Sequence, residues 1–93
     1  MSNIYGKLHR DKLIIFSDML KACNGEIISV ISRKSKIGNY ALNRYVNDLC
    51  NAGLCESRNI DTNSGYRIGY FITDKGRQYV QLIDQIRGLL DVP

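Results

Sequence analysis

The chain has 93 residues, 44% of them hydrophobic, and 13 Lys and Arg against 9 Asp and Glu give it a net charge of +4. That length accommodates one compact domain rather than two, and a domain so small gains from a partner chain. The charge is compatible with nucleic acid without establishing it, and no segment reaches the roughly 20 apolar residues of a membrane span.

Residues 8–24, LHRDKLIIFSDMLKACN, have helical periodicity. At about 100° per residue, Leu13, Phe16, Leu20 and Cys23 share one face, and Met19 extends it. Ile14 and Ile15 fall outside that face, so the apolar surface is wider than one packing stripe. Asn24-Gly25 reads as a stop signal. Residues 26–35, EIISVISRKS, predict a short second helix with Ile27, Val30 and Ile31 on one side. Arg33, Lys34 and Lys36 crowd its exit, and KIGN forms the turn, where Gly38 supplies backbone freedom. Residues 39–52, NYALNRYVNDLCNA, predict a clearer amphipathic helix. Leu42, Val46, Leu49 and Cys50 face inward, Tyr45 lies at the edge, and Asn39, Tyr40, Asn43, Arg44 and Asn47 lie opposite. Gly53 closes the helix.

A hairpin follows, with LCESRNI and YRIGYFI as strands and DTNSG as a loop of turn formers. Tyr66, Ile68, Tyr70 and Ile72 alternate onto one face. From Thr73 to about Leu90 the chain is again helical, with Tyr79, Ile83, Ile86 and Leu90 on one stripe. No internal repeat or low-complexity tract interrupts this order.

The element order suits an α+β fold, mainly α, of the winged helix-turn-helix kind. It has a three-helix core, a two-stranded wing hairpin and a C-terminal helix. Residues 1–72 then form the core and residues 73–93 a dimerisation helix, within one compact domain. Another small α+β domain with the same order is the alternative.

One stretch, YFITDKGRQYV at residues 70–80, raises a specific question. Thr73 is positioned to cap the last helix, which puts Gly76 in the first turn, where glycine costs about 1 kcal/mol relative to alanine. The pattern AGLCE, a hairpin and then YFITDKG resembles one common in winged-helix regulators of archaea and bacteria. Its positions here are Gly53, Leu54, Ile72, Thr73 and Gly76. The segments KLIIFSDMLKAC, YALNRYVNDLCNAGLCE and YFITDKGRQYVQLIDQI together look like the small archaeal winged-helix DNA-binding proteins of the Sso-ten-a type. That resemblance implies binding to duplex DNA and dimerisation through a C-terminal helix. This chain departs from the pattern in a shorter last helix and a wing loop, NIDTNSGYRIG, that looks longer. The resemblance also suggests that Gly76 lets two backbones approach where the last helix leaves the wing. A tolerated glycine at a frayed helix end is the other reading.

A reading helix needs polar side chains in its N-terminal half that reach base edges. Asn39, Tyr40, Asn43 and Arg44 occupy that half here. Asn can pair bidentately with adenine and Arg with guanine, and Tyr40 can reach a phosphate or a thymine methyl. Solvent serves such asparagines equally well, and Arg44 can instead pair with Asp48. Arg33, Lys34 and Lys36 suit phosphate contacts, which hold a protein on the duplex without reading it. Arg58 and Arg67 flank the hairpin loop and are the wing candidates.

Catalysis finds no support: there is no phosphate loop, no HExxH and no nucleophile with a base nearby. Cys23, Cys50 and Cys55 are odd in number and contain no CxxC pair, and His9 is a surface or dimer-edge residue. Core thiols in a reducing cytoplasm are expected, with no metal and no cofactor. The N-terminus lacks the apolar run of a secretion signal.

Excess apolar surface on the first and last helices points to a homodimer through Ile14, Ile15, Tyr79, Ile83, Ile86 and Leu90, unless the hairpin covers it. The sequence therefore predicts a cytoplasmic, nucleoid-associated protein that binds double-stranded DNA as a transcriptional regulator or chromatin component. The alternative is a winged-helix module that binds only other proteins. Polar and basic residues on the third helix favour DNA.

Overall fold

The computed structural model describes residues 11–90. The elements run α1 (Lys12–Lys21), β1 (Asn24–Glu26), α2 (Ile28–Ser35), α3 (Asn39–Asn51), β2 (Cys55–Thr62), β3 (Gly65–Ile72) and α4 (Asp74–Leu90). The expected helix start at Leu8, and His9 with it, lie outside the described residues. Asp11 caps α1, its Oδ1 accepting from the Ile14 amide at 3.1 Å. This satisfies one of the donors that a helix N-terminus leaves open.

The core lies where α1, α2 and α3 converge. Met19, Leu20 and Cys23 meet Ile31, Leu42, Val46 and Leu49, and Leu54 and Cys55 close it from below. Full burial of each aliphatic side chain contributes about 1.5–3 kcal/mol, so Ile31, Leu42 and Leu49 alone anchor two helices. Leu13, expected on the core face, is exposed instead. Its carbonyl accepts the Tyr79 hydroxyl at 2.9 Å, which fastens the start of α1 to α4. Further along, Lys21 pairs with Asp84 at 3.0 Å and Arg87 with Asp18 at 3.5 Å. Phe16 meets Tyr45 edge-on, ring centres 5.5 Å apart, and so joins α1 to α3.

The sheet has three antiparallel strands in the order β1-β3-β2. The two-stranded wing gains β1, where Asn24 faces Phe71 and Glu26 faces Tyr70. The Asn24-Gly25 stop signal does end α1, but the chain then pairs with the sheet before α2 begins. β2 and β3 pair over eight positions, from Cys55 opposite Ile72 to Thr62 opposite Gly65. Asp61 and Thr62 thus extend the strand, leaving a two-residue turn at Asn63 and Ser64 in place of the expected five-residue loop. Gly65, at φ +103°, takes a backbone conformation other residues avoid. The wing is prominent because its strands are long.

Where the wing ends, α4 begins against the end of α3. The Thr73 hydroxyl accepts from the Gly76 amide at 3.0 Å and donates to the Gly53 carbonyl at 2.6 Å. The Thr73 amide reaches the Leu54 carbonyl, and the Lys75 ammonium reaches that of Ala52 at 2.7 Å. Three successive carbonyls are thereby held by the first turn of α4. A Cβ on Gly76 would stand 2.0 Å from the Leu54 carbonyl oxygen and 2.7 Å from an Ile72 side-chain carbon. The glycine is there because the two backbones touch.

Candidate nucleic-acid interface

The turn between α2 and α3 is Lys36-Ile37-Gly38, with Ile37 buried as its anchor. Lys36 ends α2 in the left-handed region, at φ 59° and ψ 43°. The Ser32 hydroxyl donates to the Ile37 carbonyl at 2.6 Å and stiffens the turn. A side chain in this region costs about 1–2 kcal/mol, offset in part by the unfolded-state entropy glycine would lose. Lys36→Gly should therefore raise stability by roughly 0.5–1 kcal/mol, and Lys36→Ala should not, as thermal or urea unfolding can measure.

α3 presents two unlike faces. Leu42, Val46 and Leu49 are buried, while Asn39, Tyr40, Asn43, Arg44 and Asn47 are all exposed. Tyr40, at 88%, stands clear of the surface. Asn43 donates its side-chain amide to the Asn39 carbonyl at 3.1 Å. Arg44 lies over the Tyr45 ring, 6.0 Å from its centre. Asp48, its expected alternative partner, has Lys12 at 3.8 Å. No side chain caps the α3 N-terminus, whose open amide groups favour an anion.

The basic candidates differ in what already holds them. Lys34 is paired with Glu26 at 2.8 Å. Arg58 is tied to Glu56 and lies over the Phe71 ring, 4.4 Å from its centre. Arg33 and Arg67 make no ion pair among the described residues, and both are exposed. Strand alternation puts Arg58, Ile60 and Arg67 on one face of the wing and Tyr66, Ile68 and Tyr70 on the other. Tyr70 and Ile72 pack on the core, so the second face is the one turned toward the helices. Ile68 and Tyr70 line a groove there with Ile28, Ser29 and Asn43, and Arg67 borders the same groove from the strand edge. Tyr66 (79% exposed) and Ile68 (47%) belong to this surface and are absent from the residues expected there. Their signal is the alternating stripe, whose outer half overshoots the core.

The six residues expected at a dimer contact divide by burial. Ile15 packs against the core, Ile83 is buried and Tyr79 is bound to α1, so these three are largely used within the protomer. Ile14, Ile86 and Leu90 line a cleft between α1 and α4. Leu82, Ile86 and Leu89, spaced four and three apart, form an outward seam at 55%, 47% and 85% exposure.

Three thiols gather beneath the wing. The Cys50 and Cys55 sulfurs are 3.4 Å apart. Burial pushes the Cys50 thiol up to about 12. Cys55 is raised by its hydrogen bond to Cys23 and by burial, and that same bond lowers Cys23. Among the described residues, no group of three or more His, Cys, Asp or Glu is placed to hold a metal ion. No described helix is long and apolar enough to cross a membrane.

The chain belongs to the winged helix-turn-helix family, whose model matches residues 9–91. No curated protein matches the sequence. Among solved structures, the fold is similar to that of Sso10a-2, a DNA-binding protein from Sulfolobus solfataricus. The TM-score is 0.76 at 22% identity, over 88% of this chain and 83% of that one.

Proposed function

We propose that the protein binds duplex DNA as a homodimer, with α3 in the major groove and the basic turn and wing on the phosphates. The observation that carries this reading is the exposed face of α3. It offers two asparagines, a tyrosine and an arginine from its N-terminal half and no aliphatic patch. A protein-binding surface would centre on buried-core-like apolar anchors, and the exposed aliphatic residues cluster on α4 instead. The similarity to an archaeal DNA-binding protein supports the same reading.

In this arrangement Asn39, Tyr40, Asn43 and Arg44 read bases. Arg33 and Arg67 meet phosphates most directly, and Lys36 joins them from the turn. Lys34 and Arg58 must first loosen their acidic partners. Residues 1–72 carry the reading surface. Residues 73–93 carry the dimer contact, made by Leu82, Ile86, Leu89 and Leu90 with Leu13 and Ile14 beside them. No catalytic step or cofactor enters. A transcriptional regulator or chromatin component in the cytoplasm is the role this supports.

Selection from random duplexes, followed by competition binding, tests it. Asn43→Ala and Arg44→Ala should each relax preference at particular base pairs by about 1–3 kcal/mol. Both residues are exposed, so unfolding midpoints should barely move. Wild-type selectivity in both variants would remove α3 as the reader.

A further inference from the structure

We propose that Cys50 and Cys55 are a modification site, a dithiol that closes into a reversible disulfide between the last turn of α3 and the first residue of β2. The sulfurs stand 3.4 Å apart in the reduced protein. Reaching the roughly 2.0 Å of a disulfide needs each to move by about 0.7 Å, within the reach of small side-chain rotations. The backbone between them is already fixed, because Thr73 and Lys75 hold the carbonyls of Ala52, Gly53 and Leu54. Cys50 is half-buried and gives a reagent access, while Cys55 is 2% exposed and is reached only from Cys50 or Cys23.

The chemistry balances with a small-molecule disulfide as oxidant. The Cys50 thiolate attacks one sulfur of that disulfide, forming a mixed disulfide and releasing one small thiol. Cys55 loses its proton and attacks the Cys50 sulfur. The protein disulfide forms, and the second small thiol leaves. The protein loses two electrons and two protons, and the small disulfide gains them. The groups facing Cys50 are Cys55, Cys23 and Tyr70, none of them cationic. Thiolate is therefore scarce and the first step slow at neutral pH. Cys23 remains as the third thiol; its attack on Cys55 would pass the bond to Cys23–Cys55 and release the Cys50 thiol, with no change in the number of free thiols.

The bond would staple the reading helix to the wing at their shared joint. It does not depend on what the protein binds. The test incubates the native protein with excess oxidised glutathione, then counts thiols under denaturing conditions and records the unfolding midpoint. The expected result is one free thiol left of three, a monomer lighter by two hydrogens, and a midpoint raised by about 10 °C. Dithiothreitol should reverse all three changes. Cys23→Ser should retain the bond, and Cys50→Ser should lose it while staying folded. Three free thiols, a persistent glutathione adduct on Cys50, a bond between two chains, or an unchanged midpoint would each overturn the assignment.

Discussion

Among the described glycines, Gly76→Ala should be the most damaging methyl addition. The new Cβ would sit 2.0 Å from the Leu54 carbonyl oxygen, a backbone atom that cannot rotate away. That carbonyl also accepts the Thr73 amide at 3.1 Å. Relief requires α4 to lift from the end of α3, which breaks the contacts of Thr73 and Lys75 together. Overpacking a well-filled site costs about 1–3 kcal/mol and more when backbone must move. A loss of about 3 kcal/mol, near 15 °C in the unfolding midpoint of a domain this size, is expected. Gly88 provides the contrast within the same helix. Nothing lies within 4 Å of a Cβ placed there, so Gly88→Ala should gain up to about 1 kcal/mol of helix propensity. Calorimetry on both variants checks the pair. Equal effects would mean that Gly76 is not a contact residue.

The second large effect concerns assembly. Ile86→Asp with Leu89→Asp should leave a folded monomer, because both side chains are exposed in the protomer. The charges land on the seam proposed to pair with a second copy, where burying them unpaired is prohibitive. Loss of the dimer removes the second binding module, and with it about 10²–10⁴-fold in affinity for a two-half-site duplex. Affinity for a single half-site should change little. Light scattering reads the mass and a gel-shift titration the affinity. A wild-type monomer at high micromolar concentration, or an unaltered dimer in the double variant, would contradict the seam.

Much of this architecture is legible in the residues alone. The period of α3 separates Leu42, Val46 and Leu49 from the polar face, since a helix with one buried stripe cannot hide its pattern. Gly76 stands out as a contact because its position in a first turn defies propensity. The features that the residues conceal depend on tertiary partners. β1 is Asn-Gly-Glu, with no strand-forming residue, and exists only because β3 offers it backbone groups. In α4 the spacing alone does not decide which of two adjacent apolar stripes turns inward. Tyr79 and Ile83, expected at a dimer contact, are already engaged within the chain, since the Tyr79 hydroxyl binds the Leu13 carbonyl of α1 and Ile83 is buried. The sulfur contact is equally hidden. Cys50 and Cys55 lie five residues apart without a recognised spacing, and only the sharp passage from α3 into β2 brings them together.

The central claim, that the α2–α3 turn and the wing hold duplex DNA, is tested most directly by titrating the protein onto a selected duplex over a salt series. Arg33, Lys36 and Arg67 from both protomers would neutralise about six phosphates, so affinity should fall about 10³-fold between roughly 50 and 200 mM salt. Arg33→Ala and Lys36→Gly should each weaken all duplexes alike and flatten the log–log slope by about two units per dimer. Binding that ignores salt, or a slope unchanged in both variants, would contradict the account.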